Sequence, residues 1–141
     1  MKRVILFVVI IVLAGGGWYA YKEYNRKNKN LAEVEADITI TAQALIQAFE
    51  KNSDSANKQY LGKILGVNGT IKSIEKEDNA TVILGEAGNM SSVRCSMDTT
   101  QLTKIASYKE GQPIKITGAC TGFNKDEFLG SDVILNRCVI N

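Results

Sequence analysis

Nucleophilic or metal-binding chemistry in this chain would rest on three cysteines, Cys95, Cys120 and Cys138, because histidine is absent. Without an imidazole, the commonest general base and the commonest zinc ligand are both missing. The cysteines stand 25 and 18 residues apart, which matches neither a CxxC redox pair nor a zinc ribbon. A metal site would need carboxylates to complete it. Asp126 and Glu127 are sequence neighbours with nothing to hold one protonated while the other ionises, so they do not make an acid–base pair. Gly85-x-x-Gly88 lacks the following Lys-Ser/Thr and helix of a phosphate loop. The expectation is a protein that is not an enzyme, with no metal and no cofactor.

Binding chemistry has more to work with. Phe123, Asn124, Lys125 and Phe128 cluster between the last two apolar stretches and make the most site-like segment, although its acids fit an ordinary solvated turn better. Lys72, Arg94, Lys115 and Arg137 fall on expected strands but are diluted by acids. Strand aromatics, the stacking platforms of single-strand nucleic-acid binders, are missing. Lys2 and Arg3 account for the whole net charge of +2, leaving 15 basic and 15 acidic residues in the remainder. A chain with that balance has no long-range field to gather phosphates, which disfavours nucleic acid as a partner.

The elements that must position these residues follow from periodicity. Ile38, Ala42, Leu45, Ile46 and Phe49 repeat at helical spacing, with Asp37 or Thr39 as cap, and a short second helical turn follows at Ser55–Tyr60. From Gly62 the period becomes that of a strand. Ile64–Glu75 places Leu65, Val67, Gly69, Ile71 and Ser73 on one face, with glycines that suit a strand coiling around a small barrel. Ala80–Gly85 and Ser91–Asp98 are two further strands, the second with Val93, Cys95 and Met97 on one face. Thr99–Ala106 predicts a short helix with Leu102 and Ile105 inward and Asp98 as cap. Ile114–Thr121 and Asp132–Ile140 complete the set, joined by a loop over Gly122–Ser131. Their antiparallel pairing would favour a Cys120–Cys138 disulfide in an exported domain, worth about 3 kcal/mol, though any two of the three cysteines could bridge. Cys95 then reads as a buried core thiol.

This order predicts an α+β, mostly β fold: a five-stranded OB-like Greek-key barrel, with an N-terminal amphipathic helix and a short helix between strands 3 and 4. An unclosed α+β sheet is the alternative. The run Ala56-x-x-x-Tyr60-x-Gly62-Lys63-x-x-x-Val67-x-Gly69, then Val93-x-Cys95, Gly111, Ile116-x-Gly118-x-Cys120-x-Gly122-Phe123 and Val133-x-Leu135-x-x-Cys138-x-Ile140, resembles the tRNA_anti-like family over Ile38 to Asn141. The resemblance implies an OB-type domain behind a signal or anchor segment. It implies no catalytic residues and no particular ligand.

Residues 1–21 read as that segment. Lys2 and Arg3 precede an uncharged stretch from Val4 to Tyr21, which as a helix would span about 27 Å, just enough for a bilayer core. Trp18, Tyr19 and Tyr21 sit where an aromatic belt meets headgroups. A cleaved signal peptide, giving a secreted protein, is the alternative. Residues 22–37 read as a polar tether and 38–141 as the OB-like domain. Lys22, Arg26, Lys27 and Lys29 would, counted strictly, keep the domain in the cytoplasm, yet the short basic start ahead of an apolar core resembles an export signal. The expectation is a single-pass protein of the cytoplasmic membrane with its domain on the periplasmic or extracellular side. It would be an envelope module binding a protein, peptide or glycan partner, with single-stranded nucleic-acid binding as the alternative.

Overall fold

The computed structural model describes residues 15–19, 21, 31, 34–76, 80–126 and 130–141. Among them, one sheet is built from β1 (Ile38–Thr41), β2 (Ile64–Lys76), β3 (Ala80–Leu84), β4 (Ser92–Met97), β5 (Pro113–Asp126) and β6 (Gly130–Ile140). Two helices, α1 (Ala42–Lys51) and α2 (Ser53–Tyr60), stand between β1 and β2. A 3-10 turn (Thr99–Gln101) runs into the short α3 (Leu102–Ile105) between β4 and β5.

The sheet order is β1-β2-β3-β4-β6-β5, and β5 returns to pair with β2. Strands β2 to β6 therefore form a closed ring, antiparallel except where β4 lies parallel to β6. This is the five-stranded OB-like barrel that the strand order predicts, with its helix between the third and fourth strands of the ring. Inside it, side chains alternate as a barrel requires: Leu65, Val67 and Ile71, then Val82 and Leu84, then Val93, Cys95 and Met97, facing Ile116, Cys120, Val133, Leu135 and Cys138.

Helices stop both mouths. Leu45, Ile46 and Phe49 of α1 are buried against β2, β4 and β6. Gly69 faces the same core, and a Cβ there would stand 2.9 Å from the Cβ of Ala42, so the missing side chain is what lets α1 settle onto β2. At the far end of β6, Gln101 Oε1 accepts from the Ile140 N–H at 3.4 Å, and Ile105 joins the core.

Four elements differ from the periodicity reading. The stretch Ile38–Thr41 is a strand, parallel to β2 from Ile38↔Leu65 to Thr41↔Asn68, where a helix was expected. Its alternating Ile and Thr are β-branched, poor in helices and good in strands. The helix begins only at Ala42, with Thr41 Oγ1 accepting from the Ala44 N–H at 3.2 Å. A bulge between Ile71 and Ser73 then turns Ser73 off the inner face and brings Ile74 level with Val82. In the crossover, Gln101 and Ile105 are buried while Leu102 is exposed, because a 3-10 turn shifts the phase of the inward face. Finally, β5 and β6 reach Asp126 and Gly130, so most of the loop expected over 122–131 is strand.

Most of the expected membrane segment, and 22–30, 32 and 33 of the tether, lie outside the described residues. Residues 15–19 and Tyr21 are helical, with Trp18, Tyr19 and Tyr21 exposed. Among the described residues no helix is long and apolar enough to cross a membrane. Toward the barrel, Leu31 is buried, and Asp37 meets Ile64 twice: its N–H donates to the Ile64 carbonyl at 2.8 Å, and its carboxylate accepts from the Ile64 N–H at 2.9 Å.

Phe49 is 1% exposed and touches both Tyr60 and Phe123, so it tests whether α1 is integral to the barrel. Phe49→Ala should lower unfolding free energy by about 3–5 kcal/mol, read from urea denaturation. A loss under about 1 kcal/mol would mean that α1 rests on the barrel without stabilising it.

Candidate functional site

The segment with the best aromatic content is built into the α1 end of the barrel. Phe123 lies on β5 opposite Val133 and stacks on Phe49 with ring centroids 4.9 Å apart. Its ring is half-buried and committed to holding α1. Asn124 and Lys125 are exposed near the end of β5, opposite Asp132 and Ser131. Phe128 lies outside the described residues. Around this rim, Ser91 Oγ donates to Glu50 at 2.5 Å and accepts from the Ser131 N–H at 3.1 Å, joining α1, the β3–β4 connection and β6. Lys72 Nζ donates to the Asn89 carbonyl at 2.6 Å. A cleft of about 170 Å³ remains beside Thr41, Asn68, Thr70 and Glu86, small for a ligand site.

The larger opening is on the outer face of β4, β6 and β5, toward the α3 end: a groove of about 700 Å³ lined by Ser96, Asp98, Thr99, Thr121, Asn136 and Arg137, with Met97 and Ala119. A bulge in β6 shapes it. Between Leu135 and Cys138 the chain takes three steps where β4 takes two, from Cys95 to Met97, and the β5 register shifts at the same level. The extra residue is Arg137, at φ 56, a left-handed conformation that is strained for any residue with a Cβ. The lining is held in place: Asn136 Nδ2 donates to Thr121 Oγ1 at 3.0 Å, and Asp98 Oδ1 accepts from the Thr100 N–H at 3.0 Å and its hydroxyl at 2.8 Å. Those two bonds from Thr100, helped by the Arg137 charge and opposed by partial desolvation, hold the Asp98 carboxyl below its ordinary value. One acid, one guanidinium and a set of hydroxyls and amides give a polar groove with little net charge.

Of the groove residues, only Arg137 was weighed for binding from the sequence, as one of four strand cations. The signal was in the pattern Val133-x-Leu135-x-x-Cys138, where strict alternation breaks by one residue at Asn136-Arg137. A break of that kind marks a bulge, and bulges gather beside sites.

The face over β3 and β4 is less open to phosphates. Arg94 reaches across it to Glu75 at 2.7 Å, and Ile83, which pairs with Arg94, is 7% exposed despite its outward direction. The arginine is thus neutralised where a nucleic-acid binder would leave it available.

The cysteines are all free and buried, in place of the expected Cys120–Cys138 bridge. Cys120 and Cys138 sit on paired strands but not opposite each other: Cys120 faces Leu135. The Cys120 thiol is pushed up by burial, in part offset by the Gly122 N–H. The Cys138 thiol is raised well above the usual range by a hydrogen bond to Cys95 and by burial. Among the described residues no cluster of three or more Cys, Asp and Glu side chains could hold a metal ion.

The ring order, the crossover helix and a polar groove beside a strand bulge define an OB-fold protein as the class. The sequence profile of the tRNA_anti-like family matches residues 1–139. The chain therefore belongs to the tRNA_anti-like family. No curated protein matches it. Among solved structures it is similar to a lipoprotein from Klebsiella pneumoniae whose name gives nucleic-acid binding as an unproven role, at 18% identity and a TM-score of 0.58 over 73% of this chain and 92% of that one. A replication factor A related protein from Methanobacterium thermoautotrophicum is more distant, at 16% identity and a TM-score of 0.40 over 57% of this chain and 83% of that one. At such identities the Klebsiella protein shares the fold, and the archaeal one adds nothing to that.

Arg137→Gly should leave stability unchanged or raise it by about 1 kcal/mol, since glycine relieves the left-handed strain but is freer when unfolded. A loss above about 2 kcal/mol in urea denaturation would show that the arginine side chain holds the bulge together. Asp98 yields a pH dependence. Its folded value is depressed below 3.8, so its contribution is full at neutral pH and is lost as pH falls through the folded value. The effect is small because the carboxylate is open to solvent. Urea midpoints of the wild type and Asp98→Asn should differ at neutral pH and converge on acidification; a constant gap would show that the cap is not electrostatic.

Proposed function

We propose that this protein is a non-catalytic binding module, held at the membrane by residues 4–21 with its barrel on the outer side, and that the groove over β4, β6 and β5 takes a peptide, protein segment or glycan. The groove's lining carries the reading. Ser96, Thr99, Thr121 and Asn136 supply hydroxyls and an amide, while Asp98 and Arg137 offset each other in charge. Such a surface matches peptide amides or sugar hydroxyls better than a polyanion. The buried, protonated state of Cys120 and Cys138 also weighs against thiol catalysis. The membrane placement is supported by the uncharged run from Val4 to Tyr21 and by the lipoprotein class of the Klebsiella neighbour.

A second reading, single-stranded nucleic acid, is favoured by the name of that neighbour and by the OB fold itself. It must work with Phe123, the one aromatic on the described strands, stacked on Phe49, and with Arg94 already paired. One experiment separates the two. The full chain in detergent, isotopically labelled, is titrated with a neutral N-acetylglucosamine oligomer, an extended neutral peptide and a thymidine oligomer at low salt. The groove reading expects saturable shifts at Ser96, Thr121 and Asn136 with the oligosaccharide or the peptide, weakened by about 1 kcal/mol in Asn136→Ala. Thymidine binding that maps to Lys72 and Arg94 and collapses with added salt would replace it with the second reading.

A further inference from the structure

Cys95 and Cys138 are diagonal neighbours inside the barrel, with Cys95 opposite Leu135 and Cys138 opposite Met97. They lie on β4 and β6, neighbours in the ring although far apart along the chain, and both side chains are fully buried in the barrel. Cys138 points inward only because of the extra residue at Arg137. With two steps from Leu135, Arg137 would stand on the inner face; with three, Cys138 does. Opposite it, β5 carries Gly118, where a Cβ would come within 2.5 Å of the Cys138 Sγ. The bulge turns the thiol in, and the glycine makes the space it fills. The Cys95 thiol lies near enough to raise that of Cys138.

Cys120 stands apart from this pair. It faces Leu135 across β6, and Leu135 in turn faces Cys95, so a leucine separates the two cysteines along that row.

We propose that Cys95 and Cys138 are a disulfide-forming pair that links β4 to β6, and that Cys120 remains a free thiol. The chemistry is thiol–disulfide exchange with a disulfide-bearing oxidant, either a small-molecule disulfide or a dithiol oxidoreductase. One thiolate attacks the oxidant's disulfide, forming a mixed disulfide and releasing one of its sulfurs as a thiol. The second thiolate attacks the protein sulfur of that bond, and the other half of the oxidant leaves as a thiol. The two cysteines give up two electrons and two protons, and the oxidant receives both. Because the folded barrel buries both sulfurs, the exchange takes place as the chain folds, when side chains still reach solvent. The Cys138 side chain then swings from its position over Gly118 toward β4 to close the bond. Barrel closure afterwards keeps reductants out.

The test uses the purified full chain, so it does not depend on where the domain resides or on what the groove binds. The chain is unfolded, reduced, and refolded in detergent with a mixture of oxidised and reduced glutathione. Free thiols are alkylated, and the protein is digested without reduction for mass spectrometry. The expected product is a cross-linked peptide pair joining Cys95 to Cys138, with Cys120 alkylated. Its melting midpoint should exceed that of the reduced chain, and dithiothreitol added before refolding should abolish the difference. Cys120→Ser should keep the cross-link. A bridge to Cys120, or three alkylated cysteines in correctly folded protein, would overturn the proposal. So would Cys95→Ser if Cys138 then formed no less disulfide than in the wild type.

Discussion

A strand that pairs on both sides along its first half and on one side along its second must coil, and β2 is that strand. Residues 64–70 of β2 carry β5 on one flank, with β1 on the other from Leu65 to Asn68, while Ile71–Lys76 carries β3. Only a chain that bends can change partners this way without losing its ladder, and β2 bends through its glycines and the bulge after Ile71. Ring closure depends on it. Once closed, the barrel strands have few exposed edges, and their inner faces make one continuous core that the two helical plugs seal. Remove the bend and β5 has no partner to return to.

The polar groups at the margins follow the same logic. A small barrel leaves backbone groups at each mouth, and these find short-range partners: Asp37 at the start of β2, Thr41 at the start of α1, Asn52 between the helices, Asp98 ahead of the 3-10 turn. Among the described residues no buried side-chain polar atom lacks a hydrogen-bond partner. Specificity for one register therefore comes from caps and bulges as much as from the core, where aliphatic side chains of similar size could be exchanged at small cost.

Much of this was legible in the chain. Strict alternation in β2, β4 and the inward halves of β5 and β6 located the barrel, and Gly111-Gln112-Pro113 marked the end of the crossover. What escaped was whatever depends on a partner. Ile38 fits the helical stripe of Ala42, Leu45 and Phe49 at i, i+4, and the Ile-Thr alternation finds its partner only when β2 is present to receive it. The β5–β6 hairpin looked like a loop because Asn124, Lys125 and Asp126 are polar, yet the two strands there keep a paired register from Gly122↔Ile134 to Asp126↔Gly130. A Cys120–Cys138 bridge was expected because antiparallel neighbours were assumed to meet, whereas one extra residue in β6 decides which side chains face each other. The groove escaped with them, since it is a property of three strands and not of any one.

That single residue links the two least expected features of the molecule. Arg137 holds a left-handed conformation that asparagine or glycine would adopt with less strain. Outward, the bulge it makes opens the groove and sets Asn136 against Thr121. Inward, it rotates Cys138 into the core beside Cys95. Outer surface and buried thiols are thus two sides of one local distortion. A covalent tie between β4 and β6 would pass directly beneath the groove and stiffen the strands that line it. Binding to a surface already rigid loses less conformational entropy than binding to one that must be ordered. The oxidation state of two core sulfurs would then bear on the readiness of the outer groove through the backbone of three consecutive residues, Asn136, Arg137 and Cys138.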